Sequence, residues 1–290
     1  MSGEAAFIAS LRALAQHPAA RDLADDAAVL EIGTETLVLT HDMLVEGVHF
    51  LPSQPREDVA WKLVAANLSD LAAKGAQPLG VLLGYMLGED DDGFRAGLFD
   101  VLEHYGVPLL GGDTVAGGPP QAMGLTAIGI ATHSPVPSRG GAQVGDGLWL
   151  TGSLGGALMG FEALRDKTGG DAEAYSRPMA RLPEGLALAP LVTAMMDVSD
   201  GLLLDAWRLA EASDVSLAIN SAAVPIAAPE ERRFHALRWG DDYELLFTLP
   251  VGIEPPVPAT RIGTVEPRGF VPLFVDGEPV ANREGLGYEH

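Results

Sequence analysis

Seven aspartates in this sequence stand where a carboxylate is costly. They are Asp25 and Asp26 in ADDAAVL, Asp42 in LVLTHDMLVEGVHF, Asp70 in NLSDLAAKGA, Asp113 in LLGGDT, and Asp197 and Asp200 in MMDVSDGLLLD. Each lies at the end of an apolar strand or among small residues, where an unpaired carboxylate is disfavoured. Each also has an ordinary reading: Asp113 as a turn cap, Asp200 as the N-cap of a helix from Gly201, Asp70 as a solvated helix residue. Taken together the ordinary readings weaken. The acidic segments sit on separate elements and contain few lysines or arginines, with Lys62, Lys74 and Arg139 lying close to them in sequence. Hard divalent cations take oxygen ligands, and magnesium is commonly held by a few carboxylates plus substrate phosphates. A polyanionic nucleotide bound by such a chain needs local positive charge, and metal ions are the natural supply. The pattern points to sites for hard divalent cations such as magnesium, which could neutralise a bound polyphosphate.

Other chemistries are poorly served. There is no cysteine, so disulfides, thiolate metal sites and thiol nucleophiles are excluded. No G-x-x-x-x-G-K-[ST] loop, His-x-x-x-His pair or G-x-S-x-G elbow occurs. TGSLGGALMG at 151–160 fails the dinucleotide spacing and reads as a tight packing turn. GEDDDGF at 88–94 has the wrong end positions for a calcium loop and reads as a helix start. His49, alone in EGVHF, is by itself a structural histidine.

The elements that must position these groups alternate between strand-like and helical runs. Residues 27–31 and 36–40 read as strands joined by a turn at Gly33-Thr34. A helical stripe through Ala60, Leu63, Val64, Asn67, Leu68 and Leu71 predicts a helix over 57–74, and Asn67 and Asp70 can face one cavity. Further strands are expected at 79–87, 107–110, 122–132, 147–150, 215–219, 243–249, 260–265 and 271–275. Further helices are expected at 93–105, 155–165, 183–196 and 202–212. The Pro- and Gly-dense stretch 133–146 reads as a linker, giving two α/β domains, 1–137 and 138–290. The N-terminal MSGEAAFIASLRALAQ reads as an amphipathic helix and lacks the pattern of a signal peptide. Forty acidic against eighteen basic residues give a net charge of −22, which repels nucleic acid and anionic lipid. No apolar run reaches membrane-spanning length, and a cytoplasmic location is expected.

In order along the chain, DDAAVL (25–30), LTHDMLVEGVHF (39–50), NLSDLAAKGAQP (67–78), YGVPLLGGDT (105–114), SRGGAQVGD (138–146), TGSLGG (151–156), DVSDGLLLD (197–205) and GDDYELLF (240–247) resemble the thiamine-monophosphate kinase family. That family shares its fold with aminoimidazole ribonucleotide synthetase. The resemblance implies an α/β (α+β) fold of two domains, with mixed sheets, helices packed on them, and an N-terminal sheet forming a barrel across a homodimer. It implies transfer of the γ-phosphoryl group of ATP to thiamine monophosphate. By position it makes Asp26, Thr40, His41, Asp42, Asp70, Asp113, Asp197 and Asp200 magnesium ligands. Gly112, Asp113, Arg139 and Ser199 become ATP contacts, and His49 and Asp241 acceptor contacts. Asp42, Asp70, Asp113 and Arg139 would carry the chemistry. The acceptor is an ionised phosphate, so catalysis is mainly positioning and charge neutralisation, with direct in-line transfer.

Four departures from the family pattern stand out. His41 sits where Thr or Ser usually lies beside the metal aspartate, which is neutral for a main-chain ligand and alters one metal if the hydroxyl binds. Ala24 replaces a glycine, and Asp241 replaces a Glu. Gly285 falls where an aromatic would stack on the acceptor, leaving Tyr288 and Phe270 as candidates. Related enzymes that depend on cysteine or selenocysteine do not fit a chain without either. The remaining rivals are another ATP-using enzyme of the fold and a non-catalytic magnesium–nucleotide-binding relative.

Overall fold

The computed structural model describes residues 3–289. Helix α1 (Gly3–Leu11) and a short helical turn (Pro18–Leu23) lead into the first sheet. That sheet and its helices follow as β1 (Ala28–Ile32), β2 (Glu35–Val45), α2 (Arg56–Ala73), β3 (Ala76–Leu87), α3 (Asp91–Tyr105), β4 (Leu109–Ala116) and β5 (Ala122–Ala131). The second half comprises β6 (Gly147–Thr151), α4 (Gly156–Arg165), α5 (Glu173–Ser176), α6 (Leu182–Leu188), β7 (Ala194–Asp197) and α7 (Leu202–Ala212). It continues with β8 (Ser216–Ile219), α8 (Arg233–Ala236), β9 (Leu245–Leu249), β10 (Ala259–Glu266), β11 (Leu273–Val275) and β12 (Glu278–Pro279). Among the described residues no helix is long and apolar enough to cross a membrane.

The five-stranded sheet has the order β1-β2-β5-β3-β4, antiparallel except for the β3/β4 pair. The seven-stranded sheet has the order β12-β11-β8-β10-β6-β9-β7, with β11 parallel to β8. Alternation along β9 divides the interior in two. Leu245, Phe247 and Leu249 join a core that also holds α2 and the first sheet, whereas Leu246 joins a second core around α7.

Helix α2 lies between the two sheets, and fifteen of its eighteen residues are buried. It packs on β2, β3, β5 and α3 from its own half and on α5, α6 and β7 from the other. Its first turn carries Glu57 and Asp58, favourable against the helix dipole, and it ends before Gly75 at φ 57°. Close approach of α6 requires Gly185, because a Cβ there would fall 2.0 Å from the Ala72 carbonyl oxygen.

Several elements differ from the sequence expectation. The helix expected over 183–196 ends at Leu188, and Ala194–Asp197 is a strand. Pro190 interrupts the run, and Met195 and Met196 serve opposite cores, a strand's alternation that a stripe count reads as helix. The strand expected at 107–110 runs instead over Leu109–Ala116 and takes in GGDT. At the N-terminus the expected helix is found over Gly3–Leu11, with Phe7 64% exposed and Ile8 and Leu11 partly buried; Met1 and Ser2 lie outside the described residues. The helix start at GEDDDGF is as expected, since Asp90 accepts the Gly93 N–H at 3.0 Å and caps α3.

Candidate active site

Three of the seven aspartates converge between the sheets. Asp26 precedes β1, Asp70 lies on α2, and Asp197 ends β7; one carboxylate oxygen from each lies within 4.8 Å of the others. Thr40 on β2 donates its hydroxyl to Asp70, and its Oγ1 lies 3.4 Å from the Asp26 carbonyl. Asp42, two residues further along β2, follows on the same face. Its N–H donates to Asn67 Oδ1 at 2.9 Å, so Asn67 and Asp70 share a face of α2. Ser69 Oγ donates to Asp197 Oδ2 at 2.6 Å.

The electrostatics are those of crowding. Burial pushes the Asp70 carboxyl well above its ordinary range, and Asp42, Asp197 and Asp26 add to the effect. Burial and then Asp26 push Asp197 up to about 8, against the Ser69 bond. Asp26 Oδ2 is buried 2.5 Å from Lys74 Nζ without an aligned hydrogen-bond partner. Carboxylates, a hydroxyl and an oxygen with unused capacity form a hard donor set that suits magnesium.

Two of the three cations noted in the sequence close this side. Lys74, fully buried, pairs with Asp25 Oδ1 and Asp26 Oδ2, both at 2.5 Å. Arg139 Nε donates to Asp26 Oδ1 at 2.7 Å. Arg21 pairs with Asp25 Oδ2 at 2.5 Å and donates to the carbonyls of Val136 and Pro137. Burial alone would raise the Asp25 carboxyl, but Lys74 and Arg21 outweigh it and hold it well below the usual range. Burial opposes the Arg139 charge in turn, and Asp26, Asp205 and Asp25 overcome it. Ala24 sits at φ −116°, a backbone any residue adopts, so replacing a glycine there costs nothing conformationally.

The 197–205 segment is organised by a residue the sequence reading did not single out. Asp200 does not cap α7; the N-cap is Gly201. Asp205, fully buried, accepts the Asp200 N–H at 3.0 Å. Arg208 Nη1 bridges Asp200 Oδ2 at 2.5 Å and Asp205 Oδ1 at 2.9 Å. Burial and then Asp200 push Asp205 up to about 7, against Arg208 and Arg139. The signal was available: an acid inside the apolar stretch LLLDAW needs a partner, and Arg208 follows three residues on. The Ser199 carbonyl accepts the Asp241 N–H at 2.8 Å, joining this segment to the next.

His49 and Asp241 meet through side chains from both halves. His49 Nδ1 accepts the Val45 N–H at 2.9 Å. Asp241 has φ 68° and pairs with Lys62 Nζ at 2.8 Å, while its other oxygen accepts from Tyr243 at 3.1 Å. Buried Tyr243 feels Asp241, Asp42 and Asp197 together, which places this corner beside the acidic cluster. Of the two aromatic candidates, Tyr288 lies 6.4 Å from the His49 ring, whereas Phe270, 83% exposed, packs against Phe274. Trp239, two residues before Asp241, stacks on Phe161 at 5.0 Å, and Phe161 meets Tyr175 at 5.4 Å. These aromatics were not legible as a group because their spacing in sequence follows no repeat. The glycine turn serves packing, as expected: Asp242 accepts the N–H groups of Gly155 and Ala157 at 2.7 and 3.1 Å.

His41, Gly112 and Asp113 lie apart from the cluster. Asp42 is in register with Leu125, Leu83 and Gly112, so Asp113 falls in the next row and on the opposite face, roughly 14 Å across three strand spacings. Asp113 Oδ1 accepts the Thr114 N–H at 2.9 Å on the edge strand. Gly112 is required by close approach to β3, since a Cβ would meet the Leu83 oxygen at 1.9 Å. The His41 side chain also occupies the opposite face, 2.9 Å from Thr126 Oγ1. As a side-chain ligand of the Asp26–Asp70–Asp197 cluster it is therefore excluded.

The comparisons agree with this architecture. Residues 24–131 match the AIR synthase related protein, N-terminal domain, and residues 143–276 match its C-terminal domain. The class is therefore that of two-domain AIR synthase related proteins. Within it, the chain is 36% identical to "Thiamine-monophosphate kinase" of Escherichia coli (strain K12), over 92% of this chain and 91% of the relative. It is 33% identical to the Haemophilus influenzae protein of the same name, over 92% and 93%. The solved structure "AaThiL complexed with AMPPCP and TMP" superposes with a TM-score of 0.87 at 31% identity, covering 97% of this chain and 95% of that one. The thiamine-monophosphate kinase of Stenotrophomonas maltophilia K279a gives a TM-score of 0.78 at 33% identity, covering 93% and 95%. The chain belongs to the thiamine-monophosphate kinase family.

Proposed function

We propose that this protein transfers the γ-phosphoryl group of ATP to the terminal phosphate of thiamine monophosphate, yielding thiamine diphosphate and ADP. The observation that carries this reading is the buried set Asp26, Asp70 and Asp197, three acids crowded beyond what their own chain neutralises. Together with Thr40 and Asp42 these residues would hold magnesium, which supplies charge neutralisation to the phosphates. Arg139, fixed on Asp26, and the 197–201 segment with Ser199 and Asp200 face the nucleotide. Gly112, in register with Asp42 on the inner face, contacts it from the sheet edge. His49 and Asp241 hold the acceptor. An oxygen of the acceptor phosphate attacks the γ-phosphorus in line, and the bond to the bridging oxygen of ADP breaks. The attacking oxygen is already ionised, so no base has to remove a proton.

Incubation with Mg-ATP and thiamine monophosphate should give thiamine diphosphate and ADP, with no product from free thiamine or buffer. Efficient phosphorylation of free thiamine would overturn the acceptor assignment. Nucleotide binding without turnover would favour the non-catalytic reading.

The same reading brings two chains together through the outer face of the first sheet. That face exposes Met43 (53%), Leu82 (38%) and Val115 (52%), and β4 is exposed along its whole length. An open edge beside an apolar face is a surface that folded proteins usually cover. Sedimentation should show a particle of two chains, and Leu82→Asp should shift it to one. A wild-type protein that sediments as a single chain at micromolar concentration would rule the pairing out.

A further inference from the structure

Lys62 is an anomaly on α2. It is fully buried, in a run from Val59 to Ala66 whose other members are all apolar. A buried ammonium is disfavoured unless its surroundings compensate, and burial does pull its pKa down, with Asp241 opposing. Leucine or methionine would fill the same volume without that cost. What the charge does is visible in its contacts. Nζ donates to the His49 carbonyl at 3.0 Å and to Asp241 Oδ2 at 2.8 Å, and it sits 3.8 Å from the Tyr175 ring centroid. Tyr175 in turn donates its hydroxyl to the same His49 carbonyl at 3.2 Å.

His49 belongs to the turn after β2 in the first half; Asp241 and Tyr175 belong to the second. Asp241 holds a left-handed backbone at φ 68°, and Tyr243 another at φ 50°, a shape a short loop keeps only when tied down. Lys62 therefore ties the 45–50 turn to the 240–243 loop at a fixed separation from beneath, and has no surface of its own for a ligand.

We propose that Lys62 is a positioning residue for acceptor specificity, a cross-brace that sets the spacing between His49 and Asp241 and acts on the acceptor only through them. The proposal rests on the acceptor site assigned above. Because the nucleotide side is held by Lys74, Arg139 and Arg208, the brace should govern one substrate and not the other.

The test is steady-state kinetics of Lys62→Met, which keeps length and removes charge, with Lys62→Gln as a polar second variant. Turnover of thiamine monophosphate by the wild type is measured first; its absence defeats the function and the brace together. With wild-type turnover established, Lys62→Met should raise the acceptor KM by about tenfold or more while the Mg-ATP KM stays within about twofold. Lys62→Gln, which retains donors, should fall between. The double variant Lys62→Met/Asp241→Asn should show less than the product of the single effects, because both break the same tie. Equal changes in both KM values, or a lowered melting temperature with neither KM changed, would show a merely structural lysine. If neither single variant gives a melting transition, Lys62 is a folding determinant and the proposal fails, although the wild-type activity stands.

Discussion

Asp70→Asn should reduce phosphoryl transfer by orders of magnitude and leave a protein that melts no lower than wild type when metal is removed. Asn keeps the size of Asp and can still accept from Thr40, so packing is preserved. What disappears is the capacity for a negative charge at a point where burial, and then Asp42, Asp197 and Asp26, already raise the cost of ionisation. A substitution at an ordinary surface position would change stability by less than about 0.5 kcal/mol and leave activity intact. In the proposed role the same change would remove a metal-binding charge, and with it the charge neutralisation on which the transition state would depend. Turnover across a magnesium titration, read beside thermal melting in EDTA, separates the two cases. Near-normal turnover with an unshifted magnesium requirement would remove Asp70 from the site.

The second large effect is a stability profile that inverts with metal. Burial pushes Asp197 up to about 8 in the folded protein, from 3.8 for an ordinary aspartate, and Asp205 to about 7. Asp70 shifts in the same direction. Below about pH 4 these groups are protonated whether the chain is folded or not, and they contribute no slope. Between about pH 4 and 8 the unfolded chain has released protons that the folded chain retains, so metal-free stability should fall as pH rises. Asp25 shifts the other way, and its contribution changes only below about pH 4. Magnesium requires the carboxylates ionised, so it binds with proton release and gains most where the metal-free protein is weakest. At a hundredfold excess over its dissociation constant a ligand of the folded state adds about 2.7 kcal/mol. Melting temperature in EDTA should therefore decline from pH 5 to 8, and saturating magnesium should flatten or reverse the decline. A metal-free curve that rises over that range would show that the three acids are not crowded.

Much of this could be read from residue types alone. The strands β1, β2 and β5 and the helices α2, α3 and α7 follow from hydrophobic period. Asp26, Asp70 and Asp197 stand among the seven carboxylates at costly positions, but which of the seven converge is not legible there. What escaped was long-range partnership. Lys62 and Lys74 were visible only as nearby charges, because nothing local says that one meets Asp241 and the other Asp25 and Asp26. Asp205 was passed over as one acid in a leucine-rich run, although its burial orders the backbone of Asp200. Asp113 was grouped with the other aspartates by chemistry. Only the register of β2, β5, β3 and β4 shows it on the far face of the sheet. Gly285 remains at φ 72°, a conformation in which an aromatic side chain would be strained.

Helix α2 spends its polar residues in several directions. Asn67 reaches back to β2, Asp70 meets Thr40, Ser69 reaches Asp197, Lys62 reaches Asp241, and Lys74 reaches the acids before β1. The two halves of the chain are thus not interchangeable modules, even though each matches its own domain type. A second half lacking an acid at 241 or at 197 would leave Lys62 without its counter-ion or Ser69 without an acceptor, inside a helix too deeply buried to find water instead. A change at the acceptor corner in either half therefore reaches the other half through this one helix.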